Sequence, residues 1–200
     1  EGPNPYRWED VTTDQLWGQG RHIVFSLPGA FTPTCSTYQL PGFEKMCADG
    51  VFDQYAIETV SVISVNDAFV MYQWGKSQGL ENVKMLPDGN GEFAEGLGFL
   101  VDKNNLGFGK RSWRYAMVVN DLEIERLFEE VGFMDNCPTD PYEASAPENV
   151  LAGLQREGHW IDDAHVIKGQ ADAYSVNIYD VEDVTEEEFD NLFSHSNEEV

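Results

Sequence analysis

Positive charge is scarce in this chain. Twelve lysines and arginines stand against 36 aspartates and glutamates over 200 residues, a net charge of −24. Binding along a nucleic-acid backbone needs the opposite sign and is not expected. Cysteine is scarce as well: Cys35, Cys47 and Cys137 form an odd, widely spaced set without a Cys-x-x-Cys pair. That argues against a disulfide-stapled secreted scaffold and against a structural zinc site. His22, His159, His165 and His195 show no metal-ligand spacing with the cysteines, so no metal is expected. No apolar run approaches the ~18 residues of a membrane span, and no membrane association is expected. Sparse thiols fit a reducing, cytoplasmic setting, with an organelle address left open by a chain that starts at Glu1.

What is present suffices for a cored domain with an addition: 42% of the residues are hydrophobic and 12% aromatic. Charge divides the chain. Residues 1–120 carry 14 acids and 9 bases, and residues 121–200 carry 22 and 3. A domain over 1–154 and an acidic C-terminal extension over 155–200, of unknown role, are expected. Either a solvated acidic surface or a docking face for a basic partner accounts for the excess.

Residues 1–10 are polar and carry two prolines, which predicts a surface segment. Thr12-x-x-Gln15 reads as a capping box for a short helix reaching Trp17. Arg21–Leu27 and Glu58–Val65 read as buried strands, and Val83–Leu86 as a shorter one. Asn66-Asp67 caps a helix carrying Phe69, Val70, Tyr72 and Trp74, and Phe93–Leu97 is a short helical segment. A helix runs from Cys35 towards Gln39, is interrupted or kinked at Pro41 and continues over Phe43–Ala48. The strand Trp113–Val119 turns at Asn120-Asp121 into the strand Ile124–Phe128, and Glu148–Leu154 reads as a helix. Parallel βα units followed by an antiparallel hairpin predict an α/β, thioredoxin-like fold, a central mixed sheet flanked by helices. In the extension, Tyr174–Tyr179 alternates like a strand, and Thr185-Glu186-Glu187-Glu188 reads as a capping box.

Chemistry concentrates at Pro28-Gly29-Ala30-Phe31-Thr32-Pro33-Thr34-Cys35. One glycine and two prolines impose a fixed turn, and the turn delivers Cys35 into the first turn of a helix. Free N–H groups and the helix dipole there favour an anion, and hence a thiolate. Thr32 offers a hydroxyl three residues earlier. Far along the chain, Arg114 lies in an otherwise apolar strand, where an unpaired arginine is rare, so a negative partner is implied. A carboxylate or the thiolate would serve. Gly107-x-Gly109-Lys110 precedes a strand rather than a helix and reads as a turn, not a phosphate loop. Asp88, Asn90 and Glu92 are too few for a calcium loop.

Together these stretches resemble the peroxiredoxins, in the type-5 (plant type-II) branch of the thioredoxin superfamily. The similarity runs through PGAFTPTCS, LPGF at 40–43, SVND at 64–67, PDGNGEF at 87–93 and GFGKRSWRYAMVV at 107–119, and covers roughly residues 8–154. The resemblance implies a thiol-dependent peroxidase for hydrogen peroxide and small alkyl hydroperoxides, with antioxidant and redox-homeostasis roles. It implies Cys35 as the peroxidatic cysteine that becomes a sulfenic acid, and Thr32 as the hydroxyl bonded to sulfur and peroxide. It implies Arg114 as the guanidinium holding thiolate and substrate, and Pro28 as a shield over the site. No metal or organic cofactor is implied. A homodimer is, with Phe31, Trp74 and Trp113 as exposed aromatics at its face.

Many type-5 relatives carry a resolving cysteine just before the SVND segment; Val62 and Ile63 stand there in this chain. Cys47, twelve residues after Cys35, is not expected to reach it without unfolding. Cys137 lies in the flexible-looking loop 136–141, as a resolving thiol or as a plain surface cysteine. A one-cysteine cycle is therefore expected, with glutathione and glutaredoxin, or thioredoxin, as the reductant. The alternative is a thioredoxin-fold redox sensor or adaptor, in which oxidation of Cys35 controls partner binding.

Overall fold

The computed structural model describes residues 8–156 and 175–179. At its centre is a five-stranded sheet built from β2 (Arg21–Ser26), β3 (Ile57–Ser64), β4 (Val83–Pro87), β7 (Tyr115–Asn120) and β8 (Glu123–Glu129), in the order β4-β3-β2-β7-β8. β2 and β4 run parallel to β3, while β7 is antiparallel to both β2 and β8. This is the mixed thioredoxin-like sheet that the order of elements predicts.

Alternation along the strands divides two cores. Ile23, Phe25, Val60, Val62, Ala116 and Val118 face one way and Val24, Ile63, Tyr115, Met117 and Val119 the other. The first face is covered by α2 (Leu40–Ala48), α3 (Ala68–Gln78) and α5 (Pro147–Gln155), which contribute Leu40, Phe43, Met71, Trp74, Val150 and Leu154. Phe25 and Phe43 stack at 4.1 Å between ring centroids, fixing α2 to the central strand. A Cβ at Gly153 would fall 2.5 Å from Phe128 Cζ, so any larger residue there must displace the ring that β8 packs under α5. The second face takes Trp17 from α1 (Thr13–Trp17) and Phe93 from α4 (Glu92–Gly96).

The local signals act as their chemistry dictates. Thr12 and Gln15 form the capping box of α1, and Asp67 Oδ1 accepts from Val70 N at the start of α3. Asp88 accepts from the N–H groups of Phe93 and Ala94, so its role is to seat α4, and burial raises its pKa against those bonds.

Several elements differ from expectation. The end of the expected surface segment, from residue 8 to residue 10, belongs to β1 (Trp8–Thr12), which pairs antiparallel with β9 (Ser175–Tyr179). One strand of the extension is thus joined to the N-terminal one; the capping box at Thr185 lies outside the described residues. The expected strand Trp113–Val119 is split. β6 (Lys110–Ser112) pairs with β5 (Leu100–Asp102), the chain leaves sheet geometry at Trp113 and Arg114, and β7 starts at Tyr115. Arg114 therefore sits in the break between two strands rather than inside one. Trp74 and Trp113 are buried, not exposed, because each indole N–H finds an internal acceptor: Ser36 Oγ at 3.1 Å and Glu130 O at 2.9 Å. Of the three aromatics, Phe31 is exposed, at 57%.

Candidate active site

The turn after β2 is held from several sides. Asn66 Oδ1 accepts from Ala30 N at 2.9 Å and from Ser64 Oγ at 2.8 Å, so the loop after β3 fixes the loop after β2. Arg111 Nη1 donates to Val65 O at 3.0 Å, and a Cβ at Gly29 would fall 3.2 Å from that nitrogen. Phe31 takes a left-handed φ of +60°, uncommon for a residue with a Cβ, and its ring lies 6.4 Å from that of Trp74. Pro28 is buried within the turn.

Helical backbone begins at Pro33, which places Cys35 in the first turn. Cys35–Gln39 is a π-helical turn, closed by Leu40 N donating to Cys35 O, and it runs directly into α2. Pro41 falls at the start of that α-helical segment and produces no break in it. It has no N–H to return to the preceding turn, and the wider π turn absorbs the missing bond. The same widening sets Gln39 one turn above Cys35, on the side facing Arg114.

Both side chains converge on one guanidinium nitrogen. Arg114 Nη1 lies 3.5 Å from Cys35 Sγ and 2.6 Å from Gln39 Oε1, and Nη2 donates to Asp140 Oδ1 at 2.6 Å. The Tyr142 ring lies 5.5 Å from Arg114 Cζ. Arg114 is 1% exposed and Cys35 is fully buried, while Asp140 is 44% exposed. Burial works against the charge on Arg114, but Cys35 and Asp140 beside it hold its pKa above the ordinary arginine value. Burial and the nearby Glu148 push the Tyr142 hydroxyl up to about 12. Thr32 Oγ1 donates to Gly29 O at 2.7 Å, so its one hydroxyl proton goes to that carbonyl rather than to sulfur. Its lone pairs are left as acceptors.

The structure brings Cys35 and Arg114 together, with Thr32 and Pro28 in the same turn. Reading the residues in order missed Gln39, Asp140 and Tyr142. Gln39, four residues after Cys35 in a helix, was the detectable one, because i and i+4 share a helical face.

The other thiols stand apart. Cys137 was expected in an exposed loop but is 4% exposed and packs in the core of the opposite sheet face from Cys35. Burial alone would raise its pKa, yet bonds to Thr139 and the Lys103 ammonium hold it below the ordinary thiol value. Burial, with Glu44 and Asp53 nearby, pushes the Cys47 thiol up to about 12. Among the described residues no group of His, Cys, Asp and Glu is placed to hold a metal ion, and no helix is long and apolar enough to cross a membrane.

Comparison with known proteins decides the family. The Redoxin family profile matches residues 8–136. A peroxiredoxin of Rhizobium etli is 60% identical over 154 residues, spanning 77% of this chain and 85% of the relative. The chain belongs to the peroxiredoxin family. Among solved structures, the 1-Cys peroxiredoxin known as the Plasmodium falciparum antioxidant protein superposes with a TM-score of 0.70 at 35% identity, over 72% of this chain and 84% of that one. Reduced Prx3 of Vibrio vulnificus, in complex with H2O2, superposes with a TM-score of 0.62 at 35% identity, over 70% and 82%. Membership makes this peroxiredoxin a thiol peroxidase, an antioxidant enzyme that consumes peroxide at the expense of a thiol.

Proposed function

We propose that Cys35 is the peroxidatic nucleophile and that it passes through a sulfenic acid in a one-cysteine cycle. The observation that carries this reading is the 3.5 Å approach of Arg114 Nη1 to Cys35 Sγ, with both side chains buried. The thiolate attacks the terminal oxygen of the hydroperoxide. An S–O bond forms, the O–O bond breaks, and its electron pair leaves on the second oxygen, which takes a proton to become water or an alcohol. Sulfur is oxidised by two electrons to Cys–SOH. Charge moves off sulfur and onto the leaving oxygen, so donors fixed around that path stabilise the transition state more than the ground state. Arg114 supplies those donors. Thr32, its proton committed to Gly29, accepts from the peroxide O–H, and Pro28 shields sulfur from water. No metal or organic cofactor takes part.

Two external thiols complete the cycle: one displaces water from Cys–SOH as a mixed disulfide, and the second releases Cys35 as a thiol. Glutathione with glutaredoxin, or thioredoxin, fits this step. The placement of Cys137 across the sheet and the Cys47 thiol, whose pKa burial pushes up, favour an external reductant, and the 1-Cys peroxiredoxin of Plasmodium falciparum points the same way. Exposed Phe31, Tyr38 and Phe69 around the active-site turn suit a homodimer face.

Mass spectrometry of peroxide-treated protein, with dimedone as the sulfenic-acid trap, tests the reading. The expected result is an adduct on Cys35, catalytic turnover with a dithiol, and loss of both in Cys35→Ser. One stoichiometric oxidation without turnover would favour the redox sensor, and a Cys35–Cys137 disulfide would overturn the one-cysteine cycle.

A further inference from the structure

We propose that Glu130 and Ser145 are positioning residues for the peroxidase reaction, acting through Gln39 to hold Arg114 on Cys35. This rests on Cys35 being the nucleophile. Glu130 follows β8 and is 2% exposed, and among the described residues no lysine or arginine pairs with it. Its carboxylate instead accepts from the N–H groups of Glu143, Ala144 and Ser145 at 2.9, 3.2 and 2.8 Å, and from Ser145 Oγ at 2.7 Å.

The backbone bonds alone would describe a carboxylate that ties down a loop. The serine hydroxyl does something more. Its single proton is given to Glu130, so its oxygen is left as an acceptor, and Gln39 Nε2 lies 3.4 Å from it and 3.5 Å from Ser26 O. Those two acceptors determine the orientation of the Gln39 amide: nitrogen towards Ser145 and Ser26, oxygen towards Arg114 Nη1 at 2.6 Å. A flipped amide would set its NH2 against the guanidinium donors and its carbonyl against the Ser26 carbonyl. The chain from Glu130 through Ser145 and Gln39 to Arg114 is therefore polarised in one sense, from a buried negative charge to a buried positive one, and each link strengthens the next.

Nη1 at the end of this relay is the nitrogen that reaches Cys35. Without it, Asp140 on Nη2 is the remaining strong acceptor and draws the guanidinium away from sulfur. Glu130 also brackets the strand break that presents Arg114, since Glu130 N donates to Arg114 O at 3.2 Å and Glu130 O accepts from Trp113 Nε1.

Two variants of the full chain test the relay. Ser145→Ala deletes the hydroxyl but keeps the three backbone donors on Glu130, and Glu130→Gln keeps the shape and removes the charge. The readouts are the rate of Cys35 oxidation by H2O2 and the pH profile of Cys35 alkylation by iodoacetamide. The ionisable groups facing that site are Arg114, Asp140 and Tyr142, with Glu148 and Glu130 acting on Tyr142. Each variant is expected to slow oxidation about 10-fold and to move the alkylation profile to higher pH, and Ser145→Thr to restore both. A purely structural role would lower the melting temperature and leave both readouts in place. The proposal falls if Ser145→Ala stays within about twofold of wild type in rate with an unmoved profile. If Glu130→Gln does not fold, Ser145→Ala decides alone. Failure of the wild type to oxidise Cys35 would overturn the peroxidase role of that residue, while the alkylation profile would still decide the relay.

Discussion

Arg114 and Asp140 are joined at 2.6 Å, a pair between a guanidinium that is 1% exposed and a carboxylate that is 44% exposed. The arginine that faces the Cys35 sulfur is thus anchored to the loop that also carries Cys137. Its other nitrogen serves Cys35 and Gln39, so one planar fork joins three segments of the chain.

Arg114→Lys is expected to lower the rate of Cys35 oxidation by about 10²-fold, although the charge is kept. An ammonium is a point donor and cannot meet Cys35, Gln39 and Asp140 together from one plane. Stopped-flow oxidation by H2O2 checks this. A rate within about twofold of wild type would show that charge alone suffices.

Cys137→Ser is expected to leave steady-state peroxide consumption within about twofold of wild type, with dithiothreitol or with thioredoxin as reductant. The sulfur is buried on the far side of the sheet from Cys35. If turnover with thioredoxin stops while the first oxidation persists, Cys137 is the resolving thiol and the loop 136–141 must rearrange to deliver it.

Alkali should destabilise the fold through Cys47. Its folded pKa is about 12, above the roughly 8.5 of an unfolded thiol. The stabilising contribution is therefore full below about pH 8.5, where both states hold the proton, and is lost progressively as pH rises towards 12. Cys47→Ala should flatten this decline in urea titrations between about pH 9 and 11. An unchanged slope would assign the loss to other groups, Tyr142 among them, which is pushed up in the same sense.

Acid should act through Glu44. Burial would raise its pKa, but the N–H groups of Glu81, Asn82 and Val83 and the Asn82 amide hold it below the ordinary carboxylate value. A depressed pKa stabilises the fold above the unfolded value and is lost as pH falls through the folded one. Screened by solvent at this partly exposed site, Glu44→Ala should cost about 0.5–1 kcal/mol at pH 7, and that difference should shrink as pH falls below about 4. A constant difference down to pH 3 would contradict the assignment.

Much of this is legible in the sequence alone. Thr12-x-x-Gln15 and Asp67 act between residues three apart, and Arg21–Ser26 and Ile57–Ser64 declare themselves by period and β-branching. Such signals need only neighbours along the chain. The motif around Cys35 is of the same kind, since glycine and proline dictate their own backbone angles. By itself, then, the sequence determined the order of the strands and helices of the central layer, the mixed sheet, the helix start that holds Cys35 and the need of Arg114 for an anionic partner.

Tertiary structure decided the rest. Arg114 meets Cys35 across 79 residues, Gln39 across 75 and Asp140 across 26, and nothing local to any of them specifies the others. Trp74 and Trp113 are inside because their indole N–H groups found acceptors in Ser36 and Glu130, a matter of which elements pack together. The sequence marks Cys35 by the turn before it but leaves Cys137 open as a resolving thiol or a plain surface cysteine. The side of the sheet on which each is buried separates the sulfur held against a guanidinium from the one held in the opposite core.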